Sequence, residues 1–202
     1  MYVPVFPEVR AENRAKFIDL MKLVKIPELM LFDVLSLVDD TDFYEAPAST
    51  RFHGAYPGGL FDHSLAVTDE LVRWTKMEAI DWERPFSPYL VGFLHDFCKV
   101  GKYKPILEAE GETDPESGIK APDLYGFEYE PRTWGFGGHG EDSVCKILLK
   151  VPLNTEEAMC IRWHMGAYEK DKWDDFDAAV RNFPNVLWTH HADMIASKIV
   201  GV

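Results

Sequence analysis

The stretch VGFLHDFCKVGKY, residues 91–103, places ionisable side chains inside a segment with the composition of a protein core. Two of them, His95 and Asp96, are adjacent in its middle, and Lys99 follows one helical turn later. The remaining positions include five apolar side chains: Val91, Phe93, Leu94, Phe97 and Val100. Burying a carboxylate costs several kcal/mol unless a charged or hydrogen-bonding partner compensates it. We therefore expect Asp96 to have such a partner inside the fold.

The overall composition is that of a globular protein with a sizeable core. The chain has 202 residues, of which 47% are hydrophobic and 27% charged, and this predicts one folded domain. The formal net charge of -13 disfavours a broad electrostatic surface for nucleic acid, which requires clustered Lys and Arg. A metal site that attracts phosphate groups locally remains compatible with this charge.

The cysteines and the first residues predict a cytoplasmic protein. The three cysteines, Cys98, Cys145 and Cys160, are odd in number and lie in apolar helical patterns, so we expect reduced core thiols and no disulfide framework. The beginning, MYVPVFPEVRAENRAKF, has neither the basic nor the apolar region of a secretory signal. No apolar run approaches the roughly 18 residues that span a bilayer, so no membrane contact is expected.

Apolar residues recur at helical spacing along most of the chain. The predicted helices cover about 9–24, 27–38, 60–76, 87–100, 139–149, 156–164, 176–183 and 184–199. We expect one all-α domain over residues 1–202, with N-terminal helices in 1–50 and a metal-binding core in 51–202. The helices would form a bundle that carries a long inserted loop or a short β-hairpin.

The inserted segment is the polar stretch 107–138, in which YGFEYE can pair as a short hairpin. Loops of this length inside a compact domain are uncommon and often act as lids over active sites. The alternative is a surface insertion with no role in the site.

Histidine and aspartate residues recur inside or at the ends of apolar helices. The positions concerned are His63, His95, Asp96, His139, His164 and Asp193. A single histidine on an apolar face is usually a hydrogen-bonded core residue, but recurrence over five helices favours a shared metal site. A divalent cation would also offset the desolvation cost of Asp96. The chain has no CxxC pair, HExxH motif or Asp-rich loop, which disfavours structural zinc, zincin and calcium sites.

Taken in order, these residues resemble the HD superfamily of metal-dependent phosphohydrolases, which is named for a His-Asp doublet. The resemblance covers about 50–197 and is carried by five blocks: GGLFDHS, FLHDFCK, GHGEDS, IRWHMG and HADMIAS. PGGLFDHSL is particularly similar to the HD domains of certain bacterial 3′-5′ exoribonucleases and conjugative relaxases. The chain as a whole resembles small single-domain HD hydrolases of bacteria and prophages, which implies an all-helical HD bundle. One departure is FCK after the doublet, where many relatives read IGK, so that Cys98 replaces a glycine.

The resemblance implies a site for two divalent ions. The first ion would be held by His63, His95, Asp96 and Asp193, and the second by Asp96, His139 and His164. Asp96 would thus bridge the ions, and a hydroxide between them would attack phosphorus in line. Lys99 matches a lysine that often follows the doublet and would neutralise charge developing on the phosphate. The alternative for Lys99 is an exposed position on a charged face.

Four further residues are candidates for substrate binding. Arg51 and His53 lie in the loop before the first ligand helix, and Tyr103 and Lys104 follow the doublet. Their alternative roles are ordinary loop contacts. Imidazole and carboxylate ligands suit one or two ions of Mn, Fe, Co, Ni or Zn, whereas four imidazoles make Mg less natural.

Three functions follow from these expectations. The leading one is hydrolysis of a phosphate monoester or diester in a small nucleotide-like substrate. An extended nucleic acid is disfavoured, because the chain is acidic and lacks the OB-fold that accompanies the similar exoribonuclease domains. The same ligand order also occurs in HD-fold mixed-valent diiron oxygenases, which is the second hypothesis. The third is a metal-binding module without catalysis.

Overall fold

Helices dominate the architecture, which a computed structural model describes for residues 2–114, 117–130, 137–167 and 172–202. The helices in these ranges are α1 Pro7–Leu23, α2 Glu28–Val38, α3 Gly59–Met77, α4 Ser87–Leu94, α5 His139–Ile147, α6 Thr155–Arg162, α7 Trp173–Asn182 and α8 Asn185–Ile195. A 3-10 turn, Phe97–Lys99, follows α4, and a π-helical turn, Ala196–Val200, follows α8. The predicted helical class is confirmed, with a small antiparallel sheet in addition.

The sheet is one hairpin of β1 Tyr103–Ala109 and β2 Leu124–Tyr129. Tyr103 lies opposite Tyr129, and the register shifts between Leu107 and Ala109. The first strand begins before the predicted insertion at residue 107, and the second occupies most of the YGFEYE segment. Residues 131–136 of the insertion lie outside the described residues, so the predicted lid over 107–138 stays a prediction.

A continuous apolar core joins the N-terminal helices to the later ones, with buried side chains from Phe17 to Ala196. Aromatic rings form its centre. The ring of Phe17 in α1 lies with its centroid 4.9 Å from that of Phe93 in α4, and 6.4 Å from that of Phe43. Such edge-to-face arrangements add favourable energy beyond the buried area. Helix α1 therefore packs directly against α4, the helix that precedes His95 and Asp96.

Gly92 allows α3 and α4 to approach each other closely. A Cβ atom at this position would lie 2.4 Å from the Thr68 hydroxyl oxygen and 2.7 Å from Thr68 Cα. The close approach brings His63 on α3 next to His95 at the end of α4.

The predicted helix 87–100 is wrong at its C-terminal end. Helix α4 ends at Leu94, and Asp96 has φ -101° and ψ 22°, outside the helical region. The amide of Lys99 then donates to the carbonyl of Asp96 at 2.9 Å, which closes a tight turn. Adjacent residues of a continuous helix point about 100° apart, and ending the helix at Leu94 frees Asp96 from this restriction.

No helix among the described residues has both the length and the apolar character needed to cross a membrane.

Candidate metal centre

Four segments that are distant in sequence converge on a buried group of imidazoles and carboxylates. His63 belongs to α3, His95 and Asp96 follow α4, His164 lies in the turn after α6, and Asp193 is on α8. All three imidazoles are fully buried, and the two carboxylates are 3% and 8% exposed. The structure therefore brings these five predicted metal ligands together, and the sixth, His139, has a ligand atom within 4.8 Å of one of Asp96.

The three buried imidazoles each bind a backbone carbonyl through Nδ1. The distances are 2.9 Å from His63 to Val202, 2.8 Å from His95 to Gly92, and 2.8 Å from His164 to Ile161. Because a carbonyl oxygen only accepts, each Nδ1 carries a proton, and each Nε2 is turned toward the carboxylates of the group. This is how metal-binding histidines are commonly oriented in proteins.

Two of these Nε2 atoms face each other. His63 Nε2 lies 3.2 Å from His95 Nε2. With both Nδ1 atoms protonated, the two lone pairs repel unless a positive charge lies between or beside them. The arrangement is therefore suited to a cation, either a proton or a metal ion.

The two carboxylate oxygens of Asp96 face different imidazoles. Oδ2 lies 3.5 Å from the Nε2 atoms of both His63 and His95, whereas Oδ1 lies 3.4 Å from His164 Nε2. Lys99 Nζ lies 2.7 Å from Oδ2 and is the protein's own charged partner for the buried carboxylate. Burial by itself raises the pKa of a carboxyl group, but the charges of Lys99 and His95 hold the pKa of Asp96 well below its usual range.

Lys99 is buried, so its alternative role as an exposed surface lysine is wrong. Burial lowers the pKa of an ammonium group, yet Asp96 raises the pKa of Lys99 above its ordinary value. The pair therefore remains ionised within the fold.

Asp193 completes the side of the group formed by His63 and His95. Its Oδ1 lies 3.2 Å from His63 Nε2 and 4.0 Å from His95 Nε2. Burial opposes its ionisation, but contact with His63 and the neighbouring imidazoles lower the pKa of Asp193 to about 2. The ammonium of Lys99 pairs with Asp96, so a metal ion beside His63 and His95 would balance the charge of Asp193.

Two overlapping sets of side chains can hold a metal ion. The first is His63, His95 and Asp96, and the second is Asp96, Cys98 and His139, each with its ligand atoms within 4.8 Å of one another. His139 begins α5 and is exposed. Partial desolvation of the imidazole is the main cause that lowers its pKa, so the ring is neutral at pH 7 and available as a ligand.

The group forms the floor of a cavity of about 740 Å³. Its lining combines polar with apolar side chains: Ala48, Ser49, His53, Asp96, Lys99, Tyr103, His139, Met165, Ala167, Trp173, His190, Asp193, Met194, Ser197 and Lys198. The predicted substrate contacts His53 and Tyr103 are among them. Arg51 and Lys104 are exposed and do not belong to this lining. Burial lowers the pKa of His53 to about 4, so that it is neutral at pH 7.

Three residues outside the predicted ligand set also take part in the site. Cys98 replaces the glycine that many relatives have after the doublet, and its Sγ belongs to the second set. His190 lines the cavity and donates from Nδ1 to the His164 carbonyl at 2.7 Å. The Val202 carbonyl orients His63. A main-chain group 139 positions away from its partner leaves no signal in a sequence pattern.

Comparison with protein-family models, curated proteins and solved structures found no match.

Proposed function

We propose that the protein is a metal-dependent phosphohydrolase of the HD type, built on an HD helical bundle. The observation that carries the proposal is one buried group in which three imidazole Nε2 atoms face two carboxylates beside the Lys99 ammonium. Imidazole and carboxylate groups are ligand types that transition metals prefer, and the Lys99 ammonium is a cation that can bind phosphate. Asp96, Lys99 and Asp193 line the same cavity, so metal, cation and substrate would share one space.

The residues present fit a divalent transition metal ion. His63, His95, Asp96 and Asp193 would hold a first ion, and the set around His139 and His164 a second. Such an ion would act as a Lewis acid on the phosphoryl group and make water a nucleophile at neutral pH. Their nitrogen and oxygen donors favour Mn, Fe, Co, Ni or Zn.

The chain's own residues would bind and orient the phosphate. Lys99 reaches the cavity from its ion pair with Asp96 and would stabilise negative charge on the phosphoryl oxygens. The hydroxyl of Tyr103 and the neutral imidazole of His53 line the same space and can donate hydrogen bonds.

The cavity supports a substrate of nucleotide size. Sites for small molecules usually enclose about 300–1,000 Å³ and have mainly apolar walls with a few placed polar groups. Here Met165, Met194 and Trp173 supply apolar surface beside the polar floor. A flat base or another aromatic group fits this surface while its phosphate contacts the floor.

The test begins with elemental analysis of the purified protein and of Asp96→Asn. The matched control is Asp177→Asn, because Asp177 lies on the surface of α7 in an ion pair with Arg181. We expect at least one equivalent of transition metal in the wild type and the control, and loss of most of it in Asp96→Asn.

Activity is then measured as phosphate release from nucleotides and as p-nitrophenol release from mono- and bis-p-nitrophenyl phosphate, with and without O2. Hydrolysis that is independent of O2 and absent from Asp96→Asn supports the proposal. Consumption of O2 by iron-loaded protein without phosphate release would favour the diiron oxygenase. No uptake of Mn, Fe, Co, Ni or Zn by the wild type would contradict both enzymes.

A further inference from the structure

Oδ1 of Asp96 faces the sulfur atom of Cys98. Cys98 Sγ lies 3.9 Å from Asp96 Oδ1, on the side of the carboxylate away from His63 and His95. Together with a ring nitrogen of His139, these atoms lie within 4.8 Å of one another. A carboxylate, a thiol and an imidazole in this proximity form a donor set for a soft or borderline metal ion.

Helix α5 holds Cys98 in this position. The amide of Cys98 donates to Ser143 Oγ at 2.9 Å, and Lys146 Nζ donates to the Cys98 carbonyl at 2.8 Å. His139 is the first residue of the same helix. One rigid element therefore fixes the backbone at residue 98 and also supplies the imidazole, which limits the entropy that binding an ion would cost.

An independent observation indicates a cation at this side of Asp96. His164 Nε2 is fully buried and hydrogen-bonds to none of the described residues, although Asp96 Oδ1 lies 3.4 Å away. Its Nδ1 already donates to the Ile161 carbonyl. A buried lone pair without a donor is costly, and a metal ion shared with Asp96 would satisfy it.

We propose that Cys98 binds the second metal ion as a thiolate, so that this position takes Zn²⁺, Co²⁺ or Fe²⁺ in preference to Mg²⁺ or Mn²⁺. This inference rests on the metal centre of the proposed function. When the ion binds, the thiol proton passes to solvent and the sulfur forms a bond to the metal, without any change of oxidation state. Thiolate ligands select thiophilic ions, whereas Mg²⁺ and Mn²⁺ prefer oxygen.

The test is a titration of the metal-free full-length chain with Co²⁺, followed by near-ultraviolet absorbance for the thiolate-to-cobalt charge-transfer band. The variants are Cys98→Ser and, as a matched control, Cys160→Ser. Cys160 is also fully buried, and it belongs to neither ligand set among the described residues. We expect the band in the wild type and in Cys160→Ser, its loss in Cys98→Ser, and a loss of affinity at the second position of at least about tenfold.

A second measurement needs no variant. X-ray absorption of the zinc-loaded wild type should contain a sulfur scatterer at about 2.3 Å from zinc. Bound Co²⁺ or Zn²⁺ without a sulfur signature would overturn the role of Cys98 and leave the metal centre intact. A sulfur signature that persists in Cys98→Ser would likewise overturn it. If the wild type binds neither ion, the proposed function fails together with this inference.

Discussion

Among individual side chains, Asp96 is the one on which the site depends. Its two oxygens contact different imidazoles, and Lys99 supplies the nearest positive charge at 2.7 Å. A buried ion pair contributes little net stability when it is intact, but removing one partner leaves an uncompensated charge. Lys99 therefore compensates Asp96 within the protein, and a metal ion would balance the charge of Asp193.

Replacing Lys99 by methionine should destabilise the metal-free protein and spare the metal-loaded one. The substitution keeps an unbranched side chain that is shorter by the terminal nitrogen, and it leaves Asp96 without its ammonium partner, which costs about 3–5 kcal/mol in the absence of metal. Urea denaturation with and without Zn²⁺ measures this, and we expect bound zinc to restore most of the loss. If the protein is the phosphohydrolase proposed above, its phosphate release should fall by about 10²–10³-fold, as for other removed charge-stabilising groups.

The control for this substitution is Lys104→Met. Lys104 is exposed on β1 and does not line the cavity, so its replacement should change the stability by no more than about 0.5 kcal/mol. Equal stability losses in the two variants would refute a specific role for the Lys99–Asp96 pair.

Packing between α3 and α4 sets the distance between His63 and His95. Gly92→Ala would place a methyl group 2.7 Å from Thr68 Cα, and backbone at that distance cannot move aside cheaply. We expect a loss of about 1–3 kcal/mol in unfolding free energy and a weaker affinity for metal, because the helices must separate. Thermal melts and metal titration test both effects.

Gly126→Ala is the matched control, since the added methyl would meet only the end of the flexible Glu108 side chain. If Gly92→Ala lost stability while keeping the full metal affinity, the spacing of α3 and α4 would not control the site.

The turn after α8 orients His63 through the backbone. Gly201 has a positive φ of 85°, and its amide donates to the Ala196 carbonyl at 2.9 Å, which places the Val202 carbonyl at His63 Nδ1. Gly201→Val strains this conformation, because a β-branched residue disfavours positive φ. We expect metal affinity to fall by about 10–100-fold, the usual effect of losing a group that orients a ligand.

Gly118→Val provides the same backbone strain away from the site. Gly118 has a φ of 69° and, like Gly201, no atom within 4 Å of an added Cβ. Isothermal titration with Zn²⁺ should separate the two variants, and equal affinities would show that the Val202 carbonyl does not matter for binding.

Across the fold, the N-terminal helices and the site share one core. Phe17 in α1 is fully buried against Phe43, Tyr44 and Phe93. Phe17→Ala should lower the unfolding free energy by about 3–5 kcal/mol in a single transition, because the cavity would lie within the shared core. Phe52→Ala should have little effect, since Phe52 is 83% exposed. Two separate transitions in urea denaturation of Phe17→Ala would contradict a common core.

Much of the helical architecture could be predicted, because an apolar residue every three or four positions is a local property of the chain. The C-terminal end of α4 could not be predicted in this way. The apolar pattern continues to Val100, but the turn at Asp96 is fixed by contacts such as the Cys98 amide with Ser143, 45 residues away. The pairing of β1 with β2 was missed in part for the same reason, since a strand needs a partner whose position depends on the fold.

The residue types and their order already indicated a site of imidazoles and carboxylates, because burying so many ionisable groups on apolar helices needs a common cause. Which atoms meet was decided by tertiary packing. His63, Asp96 and Asp193 come into contact only when α3, α4 and α8 pack together. The same packing placed Cys98 beside Asp96 and the Val202 carbonyl beside His63, since electrostatic and hydrogen-bond energies depend on distances that no local pattern specifies.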